Sequence, residues 1–266
     1  MFLLQAQAIL TVAACAGFLL IREMQDSLYP NAKPLFDAAR NWGADLVAVA
    51  DTSRLEGIET DPPDLLQGYP RAVSIAVHLA DGIMDPITSR PTPLYARHYQ
   101  NVNALLDHIA IRVTGLLQSW GGKALPVPAS HILCEERFVA AISHKAVAIQ
   151  AGIGWQGKPT ILVTPQFGPR VRLVTVLTDL ALPADKPIKN KCAKCTYCVE
   201  ACPAGAIKNA STALHYASRS EALDLEACVG QLRSNEQEKH IPPYLCGVCV
   251  SACPWGKPKG SEKRQR

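Results

Sequence analysis

A chain of 266 residues can bury one large core or two smaller ones, and its composition is ordinary for a globular protein except for ten cysteines and twenty prolines. The formal charge of +4 lies in the last eleven residues, where Lys257, Lys259, Lys263, Arg264 and Arg266 face only Glu262. The rest is balanced, which argues against a body that grips nucleic acid along its surface. Only Cys15 and Cys134 stand outside the stretch from Cys192 to Cys253. That crowding excludes the dispersed disulfide framework of a secreted domain and points to metal ligation in a reducing, cytoplasmic compartment.

Residues 1–21 are uncharged and mostly apolar, long enough to span a bilayer core of about 30 Å. Three readings stand: a membrane anchor that leaves the main body in the cytoplasm, a dispensable stretch upstream of a start at Met24, and a buried helix. Val12-Ala13-Ala14-Cys15 resembles a lipoprotein cleavage box, but no Lys or Arg precedes the apolar run. Beyond it, Leu35, Ala39 and Trp42 recur at helical spacing before Gly43. Ala44–Ala50 and Val73–Leu79 are β-branched runs of strand length. Leu106, Ile109, Val113, Leu116 and Trp120 mark an amphipathic helix ending at Gly121-Gly122; Phe138, Ile142, Ala146 and Ile149 mark another, closed by Gly152. Thr160–Thr164 and Val171–Thr178, joined by a six-residue turn, are expected to pair as an antiparallel hairpin.

The expected class is α+β: a mixed sheet flanked by helices, followed by a helical, ferredoxin-like module. The expected divisions are an apolar segment 1–27, an α/β domain 28–183, a cysteine module 184–256 entered through the linker Ala184–Lys191, and a basic tail 257–266.

Cys192-x-x-Cys195-x-x-Cys198-x-x-x-Cys202-Pro203 has the bacterial ferredoxin spacing, in which three close thiolates wrap one [4Fe–4S] cubane and the fourth reaches another cluster. The second run, Cys246-x-x-Cys249-x-x-x-Cys253-Pro254, lacks one leading cysteine, and Cys228 is its available substitute. One cluster is then expected on Cys192, Cys195, Cys198 and Cys253, the other on Cys202, Cys228, Cys246 and Cys249. Zinc also uses C-x-x-C pairs, but has no reason for such a run beside a near-copy. Cys134 is expected to be a buried lone thiol.

Three further segments carry a resemblance. Tyr95-Ala96-Arg97-His98-Tyr99, then Ala151-Gly152-Ile153-Gly154-Trp155-Gln156-Gly157-Lys158, then Leu177-Thr178-Asp179-Leu180, precede the cysteines in the order seen in the epoxyqueuosine reductases. From about residue 28 to 256 the chain resembles that family, whose relatives are the reductive dehalogenases. The resemblance implies a cobalamin in the N-terminal domain, reduced by the two clusters toward Co(I). It places Tyr95, Arg97, His98, Tyr99, Trp155, Gly157 and Lys158 around the corrinoid and active cavity. Read without the cysteines, Trp155 is a core aromatic and Gly152 a plain helix cap; beside them, the segment is read as a cofactor site.

The chain departs from that family in two places. The acidic proton donor expected about seventeen residues before the tryptophan is Phe138 here. Glu135 and Glu136 lie just upstream, and His144 is a second candidate acid because imidazole titrates near neutrality, or else a plain surface residue. The chain also stops soon after Cys253, short of the family's tRNA-holding helical repeats, which with the balanced body disfavours tRNA as substrate. No dinucleotide fingerprint is present, so electrons are expected from a separate ferredoxin or flavodoxin. The expectation is an iron–sulfur, corrinoid-dependent reductase of a small molecule or modified nucleoside. The alternatives are a ferredoxin-type electron carrier and a reductive activator of a corrinoid partner protein.

Overall fold

The computed structural model describes residues 31–134, 139–238 and 240–257. In chain order its elements are α1 (Lys33–Asn41), β1 (Leu46–Asp51), β2 (Arg71–His78), α2 (Asp81–Met84), α3 (Pro93–Ser119), β3 (Ala124–Val127), α4 (His144–Gln150), β4 (Trp155–Gln156), β5 (Leu162–Val163), β6 (Val171–Thr178), α5 (Tyr197–Glu200), α6 (Leu225–Glu236) and α7 (Val248–Ser251).

The sheet runs β1-β2-β6-β3, and every pairing is antiparallel, so the mixed sheet expected from sequence is corrected to an antiparallel one within the α+β class. β2 is central: Arg71 lies opposite Thr178 and His78 opposite Val171, while its other edge pairs with β1. Side chains alternate across a strand. Val73, Ile75 and Val77 therefore join Leu35 and Ala39 of α1 and Leu106, Ile109, Val113 and Leu117 of α3 in one core. Ala72 and Ala76, with Ala48 and Ala50 of β1, turn to the opposite face and pack with Val147 and Ala148 of α4.

Local chemistry sets the helix ends. Thr92 caps α3 by accepting from the Tyr95 amide, with Pro93 in the first turn. The helix thus starts well before Leu106 and carries Tyr95 and Tyr99. Ser143 caps α4 through the Ala146 amide. The helix expected over 138–149 is correspondingly shorter, and Phe138 lies outside the described residues.

The expected hairpin does not form. β5 is two residues long and pairs with β4, and a Thr164–Gly168 bridge closes the turn before β6. Gly154 permits this pairing, because a Cβ there would sit 2.2 Å from the Val163 carbonyl oxygen. β3 was not foreseen: four residues containing Pro126 give no strand signal, and proline is tolerated because β3 is an edge strand.

The linker is docked along β1, where the Asp185 amide donates to the Val49 carbonyl and its carboxylate accepts from the Val49 amide. Ile241, Leu245 and Val248 of the cysteine module enter the core that contains α3. The apolar segment 1–27 and most of the tail lie outside the described residues. Among the described residues no helix is long and apolar enough to cross a membrane.

Candidate metal centre and active cavity

The eight clustered thiols fall into two groups of four. Cys192, Cys195, Cys198 and Cys253 line one small cavity, which Cys249 also touches from the second group. Cys202, Cys228, Cys246 and Cys249 line a second cavity of about 360 Å³. Electrostatics divides them the same way. Enclosure, then Cys192, Cys198 and Cys195, pushes the Cys253 thiol up to about 12. Enclosure, then Cys246 and Cys202, pushes Cys228 up to about 11. Cys249 is raised by enclosure, then by Cys246 and Cys228, with Cys198 of the first group the one influence that crosses the division. Thiols so disfavoured as anions are inert until a metal displaces their protons. An all-sulfur donor set in two groups of four fits two iron–sulfur clusters. Among the described residues no three His, Cys, Asp or Glu side chains converge on a single ion.

Turn and cap chemistry presents these thiols. Asp224 caps α6 through the Ala227 amide and sets Cys228 in its first turn. Gly247, at φ 85°, separates Cys246 from α7 and Cys249, and a Cβ on it would lie 2.7 Å from the Tyr95 ring.

The glycine-rich segment cradles the first group. The Trp155 indole N–H points at Cys192 Sγ, 3.3 Å away, and the ring meets Trp255 edge-on at 4.9 Å. Lys158 Nζ donates to the Cys195 carbonyl at 2.7 Å and to Asn209 Oδ1 at 2.6 Å, leaving the residue 4% exposed. Asn190 donates to the Gln156 and Thr212 carbonyls and accepts from the Cys192 amide. Trp155, Gly157 and Lys158, which the resemblance places around a corrinoid, stand beside the first group of thiols, and Gly157 and Lys158 line its small cavity.

A larger cavity of about 520 Å³ lies over the sheet and adjoins the second group's cavity; Tyr95, Tyr99, Lys145, Ile161, Arg172, Arg219 and Val250 line both. Tyr95 is 4% exposed, and burial raises its phenol. Tyr99 Oη lies 2.7 Å from Ser130 Oγ and accepts from Arg172 Nη2 at 2.9 Å. The same guanidinium stacks 4.2 Å over the Tyr99 ring and donates from Nε to Asn103.

His144 lines this cavity but is not a poised acid. Its Nε2–H donates to the Pro128 carbonyl, so Nδ1 accepts from the Thr175 hydroxyl, and enclosure lowers its pKa to about 4. Its neighbour Lys145 donates to the Thr160 carbonyl at 2.7 Å; enclosure, then Arg219 and Arg172, lowers its ammonium to about 8.

Two expected cavity residues lie elsewhere. Arg97 is exposed and reaches Gln100, because its helical position turns it from the face that carries Tyr95 and Tyr99. His98 Nε2 accepts from the Ala80 amide and holds the turn before α2. Glu135 lies outside the described residues. Lys145, Arg172 and Asn209 had not been singled out; the available signal was an arginine inside the otherwise apolar run of β6.

Residues 191–256 match the family model described as a 4Fe-4S double cluster binding domain. An epoxyqueuosine reductase of Bacillus cereus is 34% identical over 127 residues, 44% of this chain and 30% of that protein. A tetrachloroethene reductive dehalogenase of Desulfitobacterium hafniense is 32% identical over 126 residues, 42% of this chain and 22% of that protein. The alignments thus span under a third of the relatives' own length. Among solved structures, a catabolic reductive dehalogenase in complex with 3-bromo-4-hydroxybenzoic acid superposes with a TM-score of 0.70 at 20% identity, over 89% of this chain and 33% of that one. An epoxyqueuosine reductase bound to a modified tRNA stem loop superposes with a TM-score of 0.56 at 22% identity, over 84% of this chain and 64% of that one. The chain is thus similar in sequence to oxidoreductases of two groups, the epoxyqueuosine reductases and the reductive dehalogenases, shares its fold with solved structures of both, and carries a 4Fe-4S binding domain at its C-terminal end.

Proposed function

We propose that the chain is a corrinoid-dependent iron–sulfur reductase acting on a small molecule or a modified nucleoside. The observation that carries this reading is the large cavity that adjoins the one lined by a four-thiol group, the two sharing Tyr95, Tyr99, Lys145 and Arg172 as walls. A plain electron carrier has no use for such a space, whereas a large ligand needs one. When bound, the clusters carry single electrons and the corrinoid supplies a strongly reducing, nucleophilic metal.

The chain's own residues divide the remaining work. Cys192, Cys195, Cys198 and Cys253 hold one cluster, and Cys202, Cys228, Cys246 and Cys249 hold the cluster nearer the cavity. Trp155 and Lys158 fix the outer group through Cys192 and the Cys195 carbonyl. Tyr95 and Tyr99 form an apolar wall from successive turns of α3, and Arg172 orients the Tyr99 hydroxyl. Lys145 is the proton source: its ammonium keeps its proton at neutral pH, releases it at low cost, and faces the cavity. His144 positions the start of α4 and stays neutral.

Anaerobic electron paramagnetic resonance of the cluster-loaded protein with added cob(II)alamin tests the proposal. A base-off spectrum, with loss of the splitting from the cofactor's own base nitrogen, is expected. An unchanged base-on spectrum beside normal reduced-cluster signals would refute it and leave an electron carrier or a reductive activator of a partner protein.

A further inference from the structure

The two thiol groups face different surroundings. The second lines a cavity together with Tyr95, Tyr99 and Arg172, while three thiols of the first are carried by segment 186–198, whose lysines are at the surface. That segment exposes Lys186, Lys189, Lys191 and Lys194, and Tyr197 beside them is 57% exposed. Among the described residues none of these four lysines is paired with a carboxylate. Neighbouring acids are engaged elsewhere: Asp185 on the Val49 amide and Glu200 on the Thr196 hydroxyl. Lys191 Nζ stands 5.8 Å from the centre of the Trp255 ring, within cation–π range. Trp255 meets Trp155, which reaches Cys192 Sγ, so packed side chains lead from the lysine surface to a thiol.

We propose that this lysine collar is the docking face for an acidic one-electron donor protein of ferredoxin or flavodoxin type, and that electrons enter through the group containing Cys192. The inference rests on reading the eight thiols as cluster ligands. Unpaired cations around a redox centre gain little by stabilising the fold but steer an oppositely charged partner and raise its association rate. In each encounter the donor loses one electron and the outer cluster gains one; no bond is made or broken and no proton moves. Two encounters supply a two-electron reduction at the cavity.

The test compares the cluster-loaded protein with its Lys189→Glu/Lys191→Glu/Lys194→Glu variant. Both are reduced under anaerobic stopped flow by a reduced acidic flavodoxin, at low and high ionic strength, and by a photoreduced uncharged deazaflavin. Expected is a second-order rate at least tenfold lower for the variant with flavodoxin at low salt, a steep salt dependence only in the parent, and equal rates with deazaflavin. Equal flavodoxin rates and equal salt dependence would overturn the proposal, as would an equal loss with the uncharged donor. Iron content is measured first: a parent chain that binds no clusters refutes the cluster reading itself, whereas eight irons with equal rates refute only the docking face.

Discussion

Replacing Lys145 with methionine separates stability from catalysis. The ammonium falls from an ordinary value of 10.5 to about 8 because it is enclosed, with Arg219 and Arg172 adding repulsion. That fall corresponds to at most about 3 kcal/mol of folding free energy given up to keep the charge inside. Part of the side chain remains open to the cavity, and water there leaves about 2 kcal/mol. Because the folded-state value is depressed, the penalty is fully present below about pH 8 and disappears as pH rises toward 10.5, where the unfolded chain also loses the proton. Lys145→Met, close in volume, should therefore raise the melting temperature by about 5 °C at pH 7. The gain should shrink to nothing near pH 10.5. Turnover of the corrinoid-loaded protein should fall at least a hundredfold if Lys145 donates the proton, and the parent's rate should decline above about pH 8. Scanning calorimetry of both proteins across that pH range, beside a pH–rate profile, is the assay. A variant that melts lower than the parent at pH 7, or a difference independent of pH, would refute the reasoning.

Other changes test the surroundings of the thiols. A unit charge within about 8 Å of a cluster, at an effective dielectric of about 20, is worth about 2 kcal/mol. Lys158→Met should therefore lower one cluster potential by about 80 mV by removing a cation that favours the reduced, more negative state; an unshifted redox titration would count against its placement. Cys228→Ser should halve the bound iron while Cys134→Ser leaves it unchanged, and full iron in the first variant would break the proposed ligand set. Gly168 has φ 54°, and a Cβ on it would lie 2.3 Å from the Gly256 amide nitrogen. Gly168→Ala should loosen the C-terminal turn and speed limited proteolysis after residue 184; parent-like digestion would show that the contact matters little.

How far the sequence alone reached depends on whether a feature is local. The eight candidate ligands can be named from sequence because cysteine spacing and the prolines after Cys202 and Cys253 are local facts. The strand Val171–Thr178 and the core face of α3 are legible because each repeats at its own period over many residues. β4 and β5 are two residues each, too short for any period to show, and their pairing depends on missing side chains at Gly154 and Gly157. Resemblance marks Trp155 and Lys158 as part of a cofactor segment, yet a sequence names a segment without naming what it faces; here they reach Cys192 and the Cys195 carbonyl. Arg172 and Tyr99 are far apart in the chain and meet only across the sheet–helix interface. Lys145, read locally, looks like one more solvated charge on a short helix.

The module that carries the thiols has very little oil of its own. Its separate apolar cluster has three buried residues, Ala206, Ile207 and Leu223, and α5 and α7 are four residues each, far below the length at which a helix persists unaided. With the proposed ligand sets, the clusters close two nested loops: one joins Cys202 to Cys249, and the other, outside it, joins Cys192 to Cys253. Tying off a loop of about sixty residues restrains the unfolded chain by about 4 kcal/mol, as a disulfide would. The inorganic sulfur and iron are then also the module's masonry, and oxidative loss of either cluster dismantles the architecture along with the wiring.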